Sequence, residues 1–351
     1  MRSTLLIRCS MVLLWIVLCG LFLTLPWISF YLRPRNTLTI LAMPNALNVD
    51  MFDAFTKKTG IKVSLSYAEN ADEIGMKLRA TRGRGYDLIM VADYQVPQLI
   101  NAGIIQRFDK SLLDFFDDLY PALLDHPFDP ENRYSIPYCW GVYGFGIDKN
   151  YFGADHHFSW SDLFAPSGTF MVGMRDDIRE LIFIAAYYLF GHASDLTEEQ
   201  YDQITALLIA QKRNVIMYAD ERIDALLVSG TSPFVLTLSS DIARAMSVYP
   251  QIDFVIPEGG SFVDIDSFVL SAACNNKTAA YQFLNYLYSE PVLSYYTDRF
   301  RLSPPRSAVN SDVKIPLLTH PTEELFSQLR FFDTVIPQYR INAILVALKS
   351  A

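Results

Sequence analysis

Apolar segments of strand length alternate with segments of helical periodicity between residues 38 and 91. We expect each apolar segment to be a buried strand, and Gly60 stands where the first helical segment should end. The order strand, helix, strand, helix, strand is typical of a parallel sheet with right-handed crossovers. Ligands of such sheets bind at the carboxyl ends of the strands, which directs attention to the residues after Met43 and Val91. The predicted strands are 38–43, 61–67 and 86–91, and the predicted helices are 48–59 and 72–79.

The same alternation returns after residue 141, which indicates a second α/β unit. Its predicted strands are 142–147, 170–174 and 234–238, and its predicted helices are 159–164, one ending near 190, 197–212, 220–229 and one beginning near 240. Two aromatic-rich helices follow, and we expect their aromatic residues to pack the core. These helices span 278–289 and 291–300, a loop is predicted at 301–312, and 322–351 is predicted to be helical.

Two extended segments connect the units. The first, residues 134–141, is a short apolar run broken by Pro137 and Gly141, which suits a strand crossing between units better than one inside a sheet. The second, residues 263–268, follows turn residues at 256–260. If the chain leaves the first unit and returns to it, a cleft forms between two lobes, and such clefts are favoured ligand sites.

The crossings divide the chain into five predicted parts. These are an export segment or anchor (1–35), the first part of lobe one (36–137), lobe two (138–264), the return to lobe one (265–310) and a C-terminal helical segment (311–351).

An uncharged run of 22 residues, 11–32, follows Arg2 and Arg8 near the N-terminus. Such a run is long enough to span a bilayer at ~1.5 Å per residue, and its position predicts export. We therefore expect the rest of the chain in the periplasm. Three fates of the segment stay open, namely retention as a membrane anchor, lipidation at Cys19 and cleavage.

Charge excludes one class of partner. Four arginines are the only charged residues before residue 36, so the formal charge of −9 for the whole chain becomes −13 for residues 36–351. Nucleic acids select basic surfaces, so nucleic-acid binding is not expected. The acidic balance fits a cationic ligand and equally an ordinary acidic surface.

Four cysteines are too few for a disulfide scaffold, and Cys9 and Cys19 lie in the export segment. Cys139 and Cys274 each lie near a predicted crossing. A disulfide between them and two buried free thiols are both open interpretations.

Six short motifs, in order along the chain, together resemble the periplasmic spermidine/putrescine-binding component of ABC importers. They are FTKKTGIKV at 55–63, GYDL at 85–88, PFDP at 127–130, YSIPYCWG at 134–141, SWSDL at 159–163 and DDIRE at 176–180. The resemblance implies a two-lobed type II periplasmic binding protein that closes on its ligand and delivers it to an inner-membrane ABC permease. It also implies a monomer without cofactor or enzymatic activity.

The resemblance further implies which residues bind the ligand. The amine-binding carboxylates of the family match Asp177, Glu180 and Asp266, and one stacking aromatic residue matches Tyr94. Other aromatic positions of the family are occupied differently in this chain. Those positions hold Met43, Ala46, Leu238 and Asp264, while a family serine and glutamate match Ala92 and Asn45.

These differences predict amine recognition with altered selectivity. Met43 and Leu238 would keep apolar contact with a ligand, and Asp264 and Asp93 would add negative charge. The ligand is expected to be a spermidine- or putrescine-like cation.

Each candidate residue also has a structural interpretation. Asp177 and Glu180 have the spacing of a helix-start capping pattern, and Tyr94 could pack at the end of a buried strand. Asp266 in an apolar run is harder to explain structurally, because a buried carboxylate needs a partner.

Three functional alternatives stay open. One is a hydrolase that uses Asp177 and Glu180 as an acid/base pair, although the five histidines lack zinc-ligand spacing and no phosphate loop is present. Another is a receptor for a different small solute, such as a metal ion, a thiamine-like cation or a modified amine. The third is a membrane-held sensor or assembly factor that has lost transport.

Overall fold

A computed structural model describes residues 36–153, 156–164, 170–219, 222–306, 321–332 and 336–351, together with six residues between 11 and 20. Those six are helical, and the rest of the predicted export segment lies outside the described residues. So do the start of the predicted helix 220–229 and the end of the predicted loop 301–312. Among the described residues, no helix combines the length and apolar character that a membrane crossing requires.

Strands and helices alternate through most of the described chain. The strands are β1 (Thr37–Ala42), β2 (Lys62–Tyr67), β3 (Leu88–Ala92), β4 (Ile105–Gln106), β5 (Ser135–Asp148), β6 (Val172–Met174), β7 (Val215–Tyr218), β8 (Phe234–Leu238), β9 (Ile252–Val255), β10 (Ser261–Ser271) and β11 (Leu329–Phe331). The helices are α1 (Phe52–Thr59), α2 (Ala71–Thr81), α3 (Val96–Asn101), α4 (Lys149–Phe152), α5 (Trp160–Phe164), α6 (Ile178–Phe190), α7 (Glu198–Lys212), α8 (Ala225–Val228), α9 (Ser239–Met246), α10 (Lys277–Leu287), α11 (Glu290–Phe300), α12 (Glu323–Ser327) and α13 (Gln338–Ser350).

The parallel sheet predicted for the first part of the chain is confirmed. β1 lies between β2 and β3 and pairs in parallel with both. Gly60 ends α1 in the left-handed conformation, with φ of 74°. β10 then extends the sheet antiparallel to β3, which puts Asp266 opposite Ala92. Residues that follow β1 and β3 therefore emerge at one edge of the first lobe, beside the middle of β10.

The long strand β5 joins two sheets. Its first half pairs antiparallel with β10 as far as Val142, and from Tyr143 onward it pairs with β8 and β9. The strand order β2-β1-β3-β10-β5-β8-β6-β7 thus runs through a first lobe into a second. The predicted crossing 134–141 and the predicted strand 142–147 are one continuous strand. The two-lobed α/β fold class is confirmed, and the residue bounds of the five parts stay predictions.

A bulge interrupts the pairing of β5 with β10. Asp266 lies opposite Cys139 and Ser267 lies opposite Pro137, so Tyr138 has no opposite residue in the ladder. Proline has no N–H to donate and is tolerated at bulges, and bulges are frequent next to functional sites. This one lies at Asp266, a residue predicted to bind the ligand.

Aromatic residues of α10 and α11 pack the core of the first lobe, as predicted. Phe283, Tyr288 and Tyr296 are buried, and the Tyr288 ring stacks on Phe115 with their centroids 3.8 Å apart. The same core contains both described cysteines, which are buried free thiols and not a disulfide.

The C-terminal segment corrects the prediction of a helix over 322–351. The described part of that segment forms α12, β11 and α13 in turn, and β11 pairs in parallel with the start of β10. The three residues of β11 carry too little alternation to distinguish a strand from the helices on either side of it. α13 packs on α6 and α7, so the end of the chain contributes to the core of the second lobe.

Gly260 is required where β11 approaches the start of β10. Its φ is +89°, and a Cβ at this position would overlap the carbonyl oxygen of Gln328. We expect Gly260→Ala to lower the free energy of unfolding by about 1–3 kcal/mol, because strain and overlap combine. Urea denaturation measures the loss. Gly259→Ala is a matched control, since its φ is also +89° but its Cβ would have no neighbour within 4 Å; equal losses would contradict the overlap.

Candidate ligand-binding cleft

A cavity of about 260 Å³, called here the ligand cleft, lies between the two lobes. It brings together seven of the eight predicted ligand residues. They are Met43, Tyr94, Asp177, Glu180, Leu238, Asp264 and Asp266. Asp93, the eighth, lines a neighbouring side cavity of about 590 Å³, which shares Tyr94, Glu180 and Asp264 with the ligand cleft.

Two carboxylates of β10 face the ligand cleft. Asp264 and Asp266 lie two residues apart on the strand, so their side chains are on one side of the sheet. Burial raises the pKa of Asp264 to about 6, although the Arg175 guanidinium lowers it. Burial and the charge of Asp264 raise the pKa of Asp266 well above its usual value. The Cys139 thiol lies beside Asp266, with Sγ 3.8 Å from Oδ2.

Asp93 adds a third carboxylate directly after β3. It is fully buried, and its Oδ1 accepts a hydrogen bond of 2.6 Å from the backbone N–H of Tyr94. Its Oδ2 has no hydrogen-bond partner among the described residues. Burial, followed by the charges of Asp264 and Asp266, raises its pKa well above the usual range. A cation near these three carboxylates would offset both their desolvation and their mutual repulsion.

Tyr94 is in contact with a cation that belongs to the protein. The Cζ atom of Arg179 is 4.9 Å from the centroid of the Tyr94 ring, and its Nη2 donates to Oδ1 of Asp72 at 2.9 Å. Arg179 belongs to α6 of the second lobe, whereas Tyr94 and Asp72 belong to the first. The guanidinium therefore bridges the lobes, and a ligand that stacks on this face of Tyr94 has to displace it.

Asp177 caps α6, as its structural interpretation predicts. Its Oδ1 accepts hydrogen bonds from the backbone N–H groups of Arg179 at 2.9 Å and Glu180 at 3.3 Å. Glu180 in the first turn is buried, and burial together with Asp177 raises its pKa well above the usual value. Both carboxyl groups also line the ligand cleft, so capping and ligand contact are compatible at Asp177.

The two roles of Asp177 can be separated by substitution. We expect Asp177→Ala to lower the free energy of unfolding by about 1 kcal/mol, because alanine cannot cap α6. Asp177→Asn should keep the stability, since asparagine caps equally well, while both variants weaken amine binding. Thermal denaturation and calorimetric titration measure the two effects. Unchanged amine affinity in both variants would leave Asp177 with the structural role alone.

Apolar side chains form part of the lining of the ligand cleft, and this part is called here the apolar wall. Met43, Leu238 and Leu302 line it together with two alanines, Ala46 and Ala92. This wall can contact the methylene chain of a ligand, but it offers no flat aromatic face.

Five charged residues of the ligand cleft were missed by the sequence analysis. They are Glu69, Arg175, Arg222, Asp241 and Arg244. Arg175 directly follows β6, and Asp241 lies in the first turn of α9, just after β8. Because β6 and β8 are parallel, the rule that ligands bind at carboxyl ends of strands applies to both. Applied to the second lobe as it was to the first, that rule would have identified Arg175 and Asp241.

The arrangement of acidic residues does not suggest a metal centre. Within the part of the chain that the structure describes, no group of three or more His, Cys, Asp or Glu residues has the arrangement of a metal site.

Comparison with known proteins identifies the family. Residues 50–318 match the family described as "Bacterial extracellular solute-binding protein". The spermidine/putrescine-binding periplasmic protein of Escherichia coli is 30% identical over 258 residues, covering 72% of this chain and 73% of that protein. A putrescine/agmatine-binding protein of Pseudomonas aeruginosa is 27% identical over 259 residues, covering 69% and 70%.

Comparison with solved structures finds proteins of the same kind. The structure of a spermidine/putrescine ABC transporter substrate-binding protein from Streptococcus pneumoniae has a TM-score of 0.77 at 18% identity, covering 90% of this chain and 99% of that one. The predictions of a solute-binding protein and of no enzymatic activity are confirmed, because the chain belongs to the family of bacterial extracellular solute-binding proteins.

Proposed function

We propose that the chain is the extracytoplasmic receptor of an ABC importer and that its ligand is a small aliphatic amine of the polyamine class. The observation that carries the proposal is the set of desolvated carboxylates on β10 and directly after β3, namely Asp264, Asp266 and Asp93, whose pKa values are all raised. The names of the relatives, which include spermidine, putrescine and agmatine binding, support the same ligand class.

An ammonium group suits this part of the cleft. A carboxylate about 4 Å from an ammonium supplies roughly 4 kcal/mol of gross attraction at an effective dielectric constant of about 20, before desolvation is subtracted. The ammonium would also favour the ionised forms of carboxylates whose pKa values are raised in its absence.

The apolar wall favours an aliphatic chain but limits the affinity. An aromatic face adds about 0.5–2 kcal/mol to the binding of a cation. Met43 and Leu238 keep dispersion contact with methylene groups and provide none of this attraction. We therefore expect weaker amine binding than a cleft with aromatic walls would give, by about two to four decades if nothing compensates.

The paired strands β5 and β10 are the proposed hinge of lobe closure. Both pass from one lobe towards the other, and hinge closure around a ligand is the usual motion of periplasmic binding proteins. The closed form would dock on an inner-membrane permease.

We propose that the protein acts in the periplasm as a monomer. Residues 11–32 would direct its export, whether that segment is then retained, lipidated or cleaved.

Thermal denaturation of the full-length protein in a neutral detergent tests the amine proposal. The titrants are spermidine, putrescine and the monoamine butylamine, with 1,4-butanediol as an uncharged control of similar shape. A ligand present at 100 times its Kd stabilises the folded state by about 2.7 kcal/mol. We expect a concentration-dependent rise in Tm with at least one amine and none with the diol. No rise with any amine would refute the amine class and favour the alternative of another small solute.

A further inference from the structure

A buried thiol contacts the carboxylate of Asp266. The Sγ atom of Cys139 is hydrogen-bonded to Oδ2 of Asp266, at a distance of 3.8 Å. Asp266 lines the ligand cleft, whereas Cys139 lies outside that lining and is only 4% exposed. A ligand in the cleft therefore meets the carboxylate and not the thiol, so any effect of Cys139 on the ligand passes through Asp266.

The bulge in β5 places this thiol beside the carboxylate. Ser267 lies opposite Pro137, so an unbroken ladder would put Tyr138 opposite Asp266. The extra residue shifts the register, and Cys139 takes that position instead. Residues directly opposite each other in an antiparallel pair have Cβ atoms about 4.5–5.5 Å apart, so the short side chain at position 139 reaches Asp266.

Hydrogen bonds hold the backbone of β5 on both sides of Cys139. The Tyr288 hydroxyl donates to the carbonyl oxygen of Pro137 at 2.7 Å. The backbone N–H of Trp140 donates to the carbonyl oxygen of Ser303 at 3.2 Å. A residue that orients a binding group has to be fixed itself, on a rigid element. Cys139 meets that condition.

The direction of the hydrogen bond is set once an amine is bound. An ammonium favours the ionised form of Asp266, and an ionised carboxylate can only accept hydrogen bonds. Burial, followed by the charges of Asp266 and Asp264, raises the pKa of the Cys139 thiol well above its usual value. The thiol therefore keeps its proton, and Sγ is the donor to Oδ2.

We propose that Cys139 is a positioning residue of the amine site, whose S–H group holds the Asp266 carboxylate in the orientation that binds an ammonium. The inference rests on the proposed function, because it concerns a carboxylate that would hold the amine. An ionised carboxylate has two oxygens and about four acceptor sites, so one bond to Oδ2 leaves sites for the ligand.

Other charged groups act on Asp266 more strongly than the thiol. Burial and the charge of Asp264 raise its pKa, while the Arg175 guanidinium and then the Cys139 hydrogen bond lower it. Asp93, directly after β3, interacts with the same carboxylate. The contribution of Cys139 is therefore orientation combined with a small preference for the ionised form, and a moderate effect on affinity is expected.

Calorimetric titration of the full-length protein and its variants tests this role, with the tightest-binding of spermidine, putrescine and butylamine. Cys139→Ala removes the donor, and Cys139→Ser differs from it by one hydroxyl group, which can donate. We expect Kd to rise about three- to tenfold in Cys139→Ala and to return to within about twofold of the wild type in Cys139→Ser. Cys274→Ala is the matched control and should not change Kd, because Cys274 is a buried thiol of the same core that lies outside the cleft lining.

Infrared spectroscopy tests the hydrogen bond in the wild-type protein. The S–H stretching band is separate from the other vibrations of a protein, and its frequency falls as the acceptor becomes stronger. Addition of the amine favours the ionised form of Asp266, so we expect one S–H band to move to lower frequency. That band should be absent from both Cys139 variants and present in Cys274→Ala.

The outcomes separate this inference from the proposed function. Equal amine affinities of the wild type and folded Cys139→Ala would overturn the positioning role and leave the amine receptor. A loss that folded Cys139→Ser does not restore would also overturn it, because packing alone would then explain the loss. Thermal denaturation establishes folding, and an S–H band that does not respond to the amine decides against the inference if the variants do not fold. Failure of the wild type to bind any of the amines would overturn both.

Discussion

Asp266→Asn is expected to weaken amine binding more than any other single substitution in the ligand cleft. The change removes a desolvated negative charge, yet asparagine has nearly the same shape. Truncating one partner of a buried charge pair costs about 2–5 kcal/mol, so we expect Kd to rise by about 30-fold to a few thousand-fold. Calorimetric titration of wild type and variant with the tightest-binding amine measures the change.

The stability of Asp266→Asn distinguishes a lost ligand contact from a damaged fold. Burial and Asp264 disfavour the charged form of Asp266 in the ligand-free protein, and a neutral side chain avoids that penalty. The Tm of the ligand-free variant should therefore equal or exceed that of the wild type. Asp202→Asn, on an exposed position of α7, is a control that should alter neither property. Unchanged affinity in folded Asp266→Asn would remove this residue from the binding site.

Amine affinity is expected to fall by about tenfold between pH 7 and pH 5 through Asp264 alone. The pKa of Asp264 is about 6 in the ligand-free cleft, because burial raises it more than Arg175 lowers it. An ammonium favours the ionised carboxylate and so lowers that pKa in the complex. Binding must therefore release protons, and acidification opposes it. Asp93 and Asp266, which repel Asp264, add to the effect in the same direction.

The stability of the ligand-free protein should change with pH in the opposite sense. A carboxyl whose pKa is higher in the folded than in the unfolded chain stabilises the fold most below the unfolded value, near 3.8. That contribution is lost as the pH rises through about 6. Asp264→Asn should remove this part of the pH dependence and flatten the affinity profile. Titrations from pH 5 to pH 8, in buffers of different ionisation enthalpy, count the released protons. Equal affinities at pH 5 and pH 7 would contradict the assignment of Asp264.

The fold was predictable where the sequence carries a local signal. The period of apolar residues identified β1, β2 and β3, and Gly60 marked the end of α1 because its left-handed conformation favours glycine. β4, β7, β9 and β11 were missed, because their two to four residues carry little alternation. β11 in particular is held by its pairing with β10, which is distant in sequence.

The candidate site was only partly predictable, for a different reason. Asp177, Glu180, Asp264 and Asp266 were identified, and the lobes bring them to one cleft. The bridge from Arg179 to Tyr94 and Asp72 depends on the approach of two lobes, and no spacing in the sequence reports it. Arg175 did have a signal, since it follows a strand directly, but its contacts with Glu180 and Asp241 come from the tertiary fold.

Calorimetric titration of the full-length protein, refolded to remove any bound solute, tests the central claim most directly. The titrants are spermidine, putrescine and butylamine, with 1,4-butanediol as the uncharged control. An amine receptor should bind at least one of the three amines saturably at about one ligand per chain, and it should not bind the diol. Absence of binding heat and of a thermal shift with all three amines would contradict the account and leave a solute-binding protein with a different ligand.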